Sequence, residues 1–61
     1  MVRVLIVEDQ KIMQRYFEYI LLQDPEFRHV DTVADAEEAV KICTYSAIDI
    51  VLMDVQTFHK S

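Results

Sequence analysis

Acidic residues directly follow the two most apolar runs of the chain. Glu8 and Asp9 come after the run VRVLIV at residues 2–7, and Asp54 comes after the run IVLM at residues 50–53. The run IVLM is uninterrupted and the run VRVLIV is apolar apart from Arg3, and such runs are typical of strands that are buried on both faces of a parallel sheet. Open α/β sheets place their ligands and their chemistry at the carboxyl ends of such strands. The three carboxylates are therefore candidates for a single site.

The chemistry of such a site follows from its donor atoms. Three carboxylates in one crevice repel one another unless a cation neutralises them. An all-oxygen cluster suits a hard cation, and Mg²⁺ typically takes one or two carboxylates and fills its other positions with water and phosphate oxygens. An aspartate beside that ion can attack a phosphoryl group to form an acyl phosphate. These residue types predict Mg²⁺-dependent phosphoryl chemistry.

The elements that must position these acids form a β-α-β-α-β pattern. Asp24-Pro25 ends the first helix, because the residue before a proline is pushed out of the helical region. Asp35 caps the second helix, and Glu38 three residues later supports that start. The predicted elements are a strand at 2–7, a helix at 11–23, a strand at 27–34, a helix from Asp35 that fades through 44–46, and a strand at 49–53.

This pattern predicts an α/β fold, a doubly wound parallel sheet with right-handed crossovers. The second strand has mixed polarity and is predicted to be an edge, whereas the first and third are apolar and should be interior. The order 2-1-3 satisfies these conditions and places one helix on each face. The second and third strands then lie on opposite sides of the first. Glu8, Asp9 and Asp54 are therefore predicted to meet between the first and third strands, where the strand order reverses.

The helix patterns predict which faces meet the sheet. In the first helix a broad apolar stripe is expected to face the core, with polar residues on the wet side. The stripe contains Ile12, Met13, Tyr16, Phe17, Tyr19, Ile20 and Leu21, and the wet side contains Gln10, Lys11, Gln14, Arg15, Glu18 and Gln23. In the second helix the stripe consists of Ala36, Ala39, Val40 and Cys43, which makes Cys43 a small core hydrophobe.

Length and composition bound the remaining possibilities. With 61 residues the chain is at most one domain, and its 52% hydrophobic content excludes a disordered tail. A net charge of −5 disfavours phosphate-backbone binding, so we expect no nucleic acid to bind through this segment. A single cysteine, no membrane-length apolar run and no leader-like start predict a cytoplasmic protein without a membrane span. The absence of glycine suggests that part of the fold is missing.

Residues 4–10, VLIVEDQ, and residues 50–55, IVLMDV, resemble the amino-terminal half of a response regulator receiver domain of two-component signalling. That family has a flavodoxin-like doubly wound sheet of order 2-1-3-4-5. The resemblance covers essentially all of residues 1–61 and about half of a typical receiver domain. It implies a fold truncated to three strands and two helices, with the remainder of the domain absent.

The resemblance also implies roles for individual residues. Asp54 would be the phospho-acceptor that takes a phosphoryl group from a sensor histidine kinase. Asp9 would bind Mg²⁺ directly, Glu8 would bind it directly or through water, and the backbone carbonyl of Gln56 would be a further ligand. Arg15, on the first helix, lies on a surface that in this family often contacts the kinase.

Two departures from the family pattern affect these expectations. Thr57 and Phe58 stand where the family usually has Met-Pro. The parts that carry the family's switch Ser/Thr, phosphate-binding Lys and switch aromatic are not in these 61 residues. We therefore expect the 61-residue chain to bind Mg²⁺ weakly and not to complete the phosphorylation switch.

Competing readings remain open. A Mg²⁺-dependent phosphatase with an aspartate nucleophile would typically carry a second aspartate two residues after it, where this chain has Gln56. A receiver-like interaction module that is not phosphorylated is the other alternative. We expect the segment itself not to be an enzyme, although related receivers commonly precede a DNA-binding output domain. The third strand should either pair with a second copy or belong to a longer protein.

Overall fold

The computed structural model describes residues 2–27 and 29–53, which form the expected five elements. Each predicted element is present, and its bounds differ from the prediction by no more than two residues at each end. Helix α1 ends at Leu21, and Asp24 and Pro25 lie in the turn that follows. The elements are β1 (Arg3–Val7), α1 (Lys11–Leu21), β2 (His29–Val33), α2 (Ala36–Tyr45) and β3 (Ile50–Met53).

The three strands form one parallel sheet of order β2-β1-β3, which confirms the predicted order. In the register of β1 with β2, Arg3 lies beside His29 and Val7 lies beside Val33. In the register of β1 with β3, Val7 lies beside Met53. The carboxyl ends of the three strands therefore lie along the same end of the sheet. In the sequence an acid comes directly after β1 and after β3.

The core is built on β1. Its residues Val4, Leu5, Ile6 and Val7 are at most 1% exposed. Leu5 and Val7 pack in one cluster with Val33 of β2 and Ala39 of α2, so α2 covers the sheet face to which these two residues point. Because successive side chains of a strand point to opposite faces, Val4 and Ile6 point to the other face.

Helix α1 buries less of its apolar stripe than its pattern predicts. Met13, Phe17 and Leu21 are half-buried, and no residue of this helix is fully buried. The other members, Ile12, Tyr16, Tyr19 and Ile20, are exposed. The prediction that the whole stripe faces the core was wrong, because this three-stranded sheet is too narrow to cover a stripe of that width.

Helix α2 differs from the prediction in the same way. Ala39 is buried, and Ala36 and Ile42 are half-buried, whereas Val40 and Cys43 are exposed. The prediction that Cys43 is a core residue was therefore wrong. The predicted cap is confirmed, because the Asp35 carboxylate accepts a hydrogen bond from the Glu38 backbone N–H at 2.9 Å.

Strand β3 is joined to β1 at its amino end by a reciprocal contact that the sequence did not reveal. The Arg3 backbone N–H donates to the Asp49 carboxylate and the Asp49 N–H donates to the Arg3 carbonyl, both at 2.9 Å. Beyond this point Ile50, Val51 and Leu52 are 46%, 43% and 38% exposed. An apolar strand of interior composition thus lies at an exposed edge.

Within the described part of the chain, neither helix has the length and apolar character needed to cross a membrane.

Candidate functional site

Glu8 marks the carboxyl end of the central strand and is the one buried acidic residue among those described. Its side chain and backbone together are only 4% exposed. The Glu8 backbone N–H donates to the Val33 carbonyl at 3.0 Å, which extends the contact between β1 and β2 one residue beyond the strands. Burying a carboxylate is costly unless its charge is compensated, so this position requires a physical explanation.

Part of that compensation comes from the start of α1. The Glu8 carboxylate accepts a hydrogen bond at 3.0 Å from the backbone N–H of Gln10, the residue that caps the helix. The Gln10 side chain makes no capping hydrogen bond of its own. A negative charge near a helix amino terminus is favourable, because the unpaired N–H groups there carry partial positive charge. Glu8 therefore performs the electrostatic part of capping from two residues upstream.

Gln14 completes the contacts around Glu8, and the sequence did not predict it. Its side-chain amide donates to the Glu8 carbonyl and, in a longer contact at 3.4 Å, to the Val33 carbonyl. The prediction that Gln14 lies on the wet side of the helix was wrong, because the residue is half-buried against the ends of β1 and β2. Periodicity counts a glutamine as polar and therefore assigns it to solvent, so no pattern signal could have found this role.

The other predicted site residues are placed only in part. Asp9 is exposed and directly follows Glu8 at the end of β1. Asp54 follows Met53, whose strand partner is Val7, but Asp54 itself lies outside the described residues. Gln56, Thr57 and Phe58 lie outside them as well.

The described donors agree with the chemistry of a hard cation. Glu8 and Asp9 supply carboxylate oxygens at one strand end, and oxygen ligands are those that Mg²⁺ prefers. Among the described residues, the ion pair is the one that Arg3 forms with Asp31. No described basic side chain therefore pairs with the Glu8 carboxylate. Those residues alone contain no group of three acids, histidines or cysteines that could hold a metal. The two acids fit the ion as part of a ligand set, not as a complete one.

Comparison with protein families gives one match that covers most of the chain. The model of the response regulator receiver domain matches residues 4–57. This range contains Glu8, Asp9, Asp54 and Gln56.

Curated proteins with similar sequences share one description. A protein-glutamate methylesterase/protein-glutamine glutaminase of Nitrosospira multiformis is 34% identical over 55 residues, which are 90% of this chain and 16% of that protein. Proteins so described from Carboxydothermus hydrogenoformans and Geobacter metallireducens are 37% identical over 54 residues and 36% identical over 55 residues. The chain thus spans about one sixth of the length of these relatives. No solved structure matches the chain significantly.

Proposed function

The chain belongs to the response regulator receiver domain family of two-component signalling, and from this premise we propose that it carries the phospho-acceptor of such a regulator. In this proposal Asp54 takes a phosphoryl group from a sensor histidine kinase with the help of Mg²⁺. The observation that supports it most is the register of the sheet. Val7 lies beside Met53. The acids that follow these two residues in the chain are therefore attached to neighbouring strands at the same end of the sheet.

The reaction transfers a phosphoryl group between two protein side chains. A carboxylate oxygen of Asp54 forms a bond to phosphorus while the P–N bond of the kinase phosphohistidine breaks, and the imidazole leaves. The residues that would hold Mg²⁺ are Glu8, Asp9, Asp54 and the Gln56 carbonyl. The bound ion would supply neutralising charge for the transferring group. The role of Glu8 in this step is to present a carboxylate oxygen from a strand end whose backbone is hydrogen-bonded to Val33 and Gln14.

We propose that residues 1–61 are the amino-terminal half of a receiver domain. The exposed interior-type strand β3 supports this, because a strand without polar positions is expected to have neighbours on both sides. The 61-residue chain alone is then expected to bind Mg²⁺ weakly and not to complete the switch. Acetyl phosphate, Mg²⁺ and intact-mass measurement test this, and a stoichiometric phosphoryl adduct on the 61-residue chain would contradict it.

We further propose that this segment has no turnover of its own. The methylesterase and glutaminase names describe proteins of which the chain covers 15–16%, so any such activity would belong to a longer protein. The phosphatase alternative is disfavoured because Gln56 replaces the second aspartate that such enzymes typically carry. Partners proposed for the segment are a sensor histidine kinase and a second copy through β3, in a cytoplasmic setting and without nucleic acid.

The acceptor assignment is tested in the natural protein that contains these residues. The protein is incubated with Mg²⁺ and acetyl phosphate, and phosphoryl adducts are counted by intact mass. The wild-type protein should gain one adduct, and Asp54→Asn should gain none. Asp49→Asn is the matched control, because it removes an acid near the opposite end of the same strand and should leave the adduct in place. An adduct that persists in Asp54→Asn would refute the assignment.

A further inference from the structure

We propose that Gln14 is a positioning residue for the metal site, one that holds the Glu8 carboxylate in place for Mg²⁺ without touching the ion. This inference rests on the proposed function, because it assumes the Mg²⁺ site proposed there. It assigns a task to a residue that neither the sequence pattern nor the family resemblance singles out.

The contacts around Glu8 divide its three polar groups among three partners. The backbone N–H is held by the Val33 carbonyl and the carboxylate by the Gln10 N–H, each at 3.0 Å. The backbone carbonyl is held by the Gln14 side-chain amide. Two of these partners are backbone groups that any sequence would supply. The Gln14 amide is the one contact that depends on a particular side chain.

The position of Gln14 explains why this contact controls the direction of the carboxylate. Its own backbone N–H donates to the Gln10 carbonyl at 3.0 Å in the first turn of α1. The Gln10 N–H in turn holds the Glu8 carboxylate. Gln14 thus joins the end of β1 and the start of α1 into a closed ring of contacts. Without its amide this ring is open, because the Glu8 carbonyl loses its link to the helix.

The second contact of Gln14 extends this link to the neighbouring strand. The same amide lies 3.4 Å from the Val33 carbonyl, which already accepts from the Glu8 N–H. One side chain therefore contacts the ends of both β1 and β2. Groups that orient a metal ligand commonly change metal affinity by about 10–100-fold when they are removed. Since Gln14 acts through the backbone, we expect the lower end of this range.

The test is the Mg²⁺ dissociation constant of the ¹⁵N-labelled natural protein that contains these residues, measured from the amide shifts of Glu8 and Asp9. Gln14→Met keeps the length of the side chain and removes its N–H donors, and it should weaken Mg²⁺ binding about tenfold. Gln23→Met is the matched control, in the turn that follows the same helix. The Gln23 amide donates to the Tyr19 carbonyl at 3.3 Å at the far end of α1, so this change should leave the dissociation constant unaltered.

Two further variants separate positioning from general loss of stability. Ile48→Ala destabilises the core at the amino end of the sheet, because Ile48 precedes β3 and packs against the core cluster, and below its melting transition this variant should bind Mg²⁺ as wild type does. Gln14→Ser, which is too short to reach the carbonyls, serves if Gln14→Met does not fold by circular dichroism. A dissociation constant in Gln14→Met or Gln14→Ser equal to wild type, or an equal weakening in Ile48→Ala, overturns the inference.

The outcome for the proposed function is read separately, from Asp9→Asn. If wild type shows no saturable Mg²⁺ shift that Asp9→Asn removes, the metal site itself is refuted, and the role of Gln14 with it. If wild type binds and Gln14→Met binds equally well, the metal site stands and only the positioning role is lost.

Discussion

The two edges of the sheet are built in opposite ways. The β2 edge carries exposed polar side chains at His29, Asp31 and Thr32, and Arg3 pairs with Asp31 at 3.7 Å. The β3 edge carries Ile50, Val51 and Leu52, all of them exposed and none of them charged. Charged and polar side chains are the ordinary means by which a sheet edge is kept from pairing with other chains. The β2 edge is therefore protected against pairing with another strand, whereas the β3 edge is open to such pairing.

The proposed site combines residues from both sides of the sheet. Glu8 is held from the side of the protected β2 edge, by hydrogen bonds to Val33 and Gln14. Asp54 follows the open strand in the chain. The two contributions to the site therefore differ in how firmly the described contacts hold them. Glu8 is held by contacts within this segment, whereas the strand that leads to the acceptor depends on the neighbour that lies beside β3.

The largest expected effect is a difference in stability between the central strand and the open one. Leu5→Ala removes a fully buried side chain and should lower the free energy of unfolding by about 2–5 kcal/mol. Leu52→Ala makes the same change on β3, where the side chain is 38% exposed, and should cost well under half as much. Urea denaturation of both variants measures the difference. Equal losses would show that β3 is packed as fully as β1.

An intermediate effect is expected on association through the open edge. Val51→Lys places a charge on β3 of the kind that guards natural edges, and it should abolish concentration-dependent association of the 61-residue chain. Thr32→Lys adds the same charge to the β2 edge and should leave association unchanged. Sedimentation velocity over a range of concentrations distinguishes them. If Thr32→Lys suppresses association as strongly as Val51→Lys, net charge and not the open strand controls it.

The smallest effect is expected for the ion pair at the protected β2 edge. Arg3 and Asp31 are 36% and 53% exposed in their side chains, and exposed ion pairs contribute about 0–1 kcal/mol. Asp31→Asn should therefore change the free energy of unfolding by less than about 1 kcal/mol, and the change should shrink as salt is added. A larger, salt-independent loss in urea denaturation would mean that this pair supports the fold and does not merely guard an edge.

The architecture could be predicted because it depends on composition along whole segments. The mixed polarity of residues 27–34 identified the β2 edge, and the apolar runs before Glu8 and Asp54 identified neighbouring strands. The capping role of Asp35 followed from a local rule that needs only a few residues. These features required no knowledge of which surfaces finally meet.

The errors concern partners that a linear pattern does not contain. Cys43 and Val40 lie on a stripe of helical periodicity, but the described sheet is too narrow to reach them, and they are exposed. Gln14 is polar and was assigned to solvent, yet two strand-end carbonyls accept from it. The contact between Arg3 and Asp49 joins residues 46 positions apart. Each outcome depends on tertiary placement, which periodicity alone does not determine.

The central claim is that the acids after β1 and the acid after β3 share one Mg²⁺ ion, and a Mg²⁺ titration of the ¹⁵N-labelled natural protein that contains these residues tests it most directly. The amides of Glu8, Asp9 and Asp54 should shift together with a single dissociation constant, and Asp54→Asn should weaken the response of the Glu8 and Asp9 amides as well. Shifts at Glu8 and Asp9 that are unchanged in Asp54→Asn would contradict the claim, because the two strand ends would then not contribute to one site.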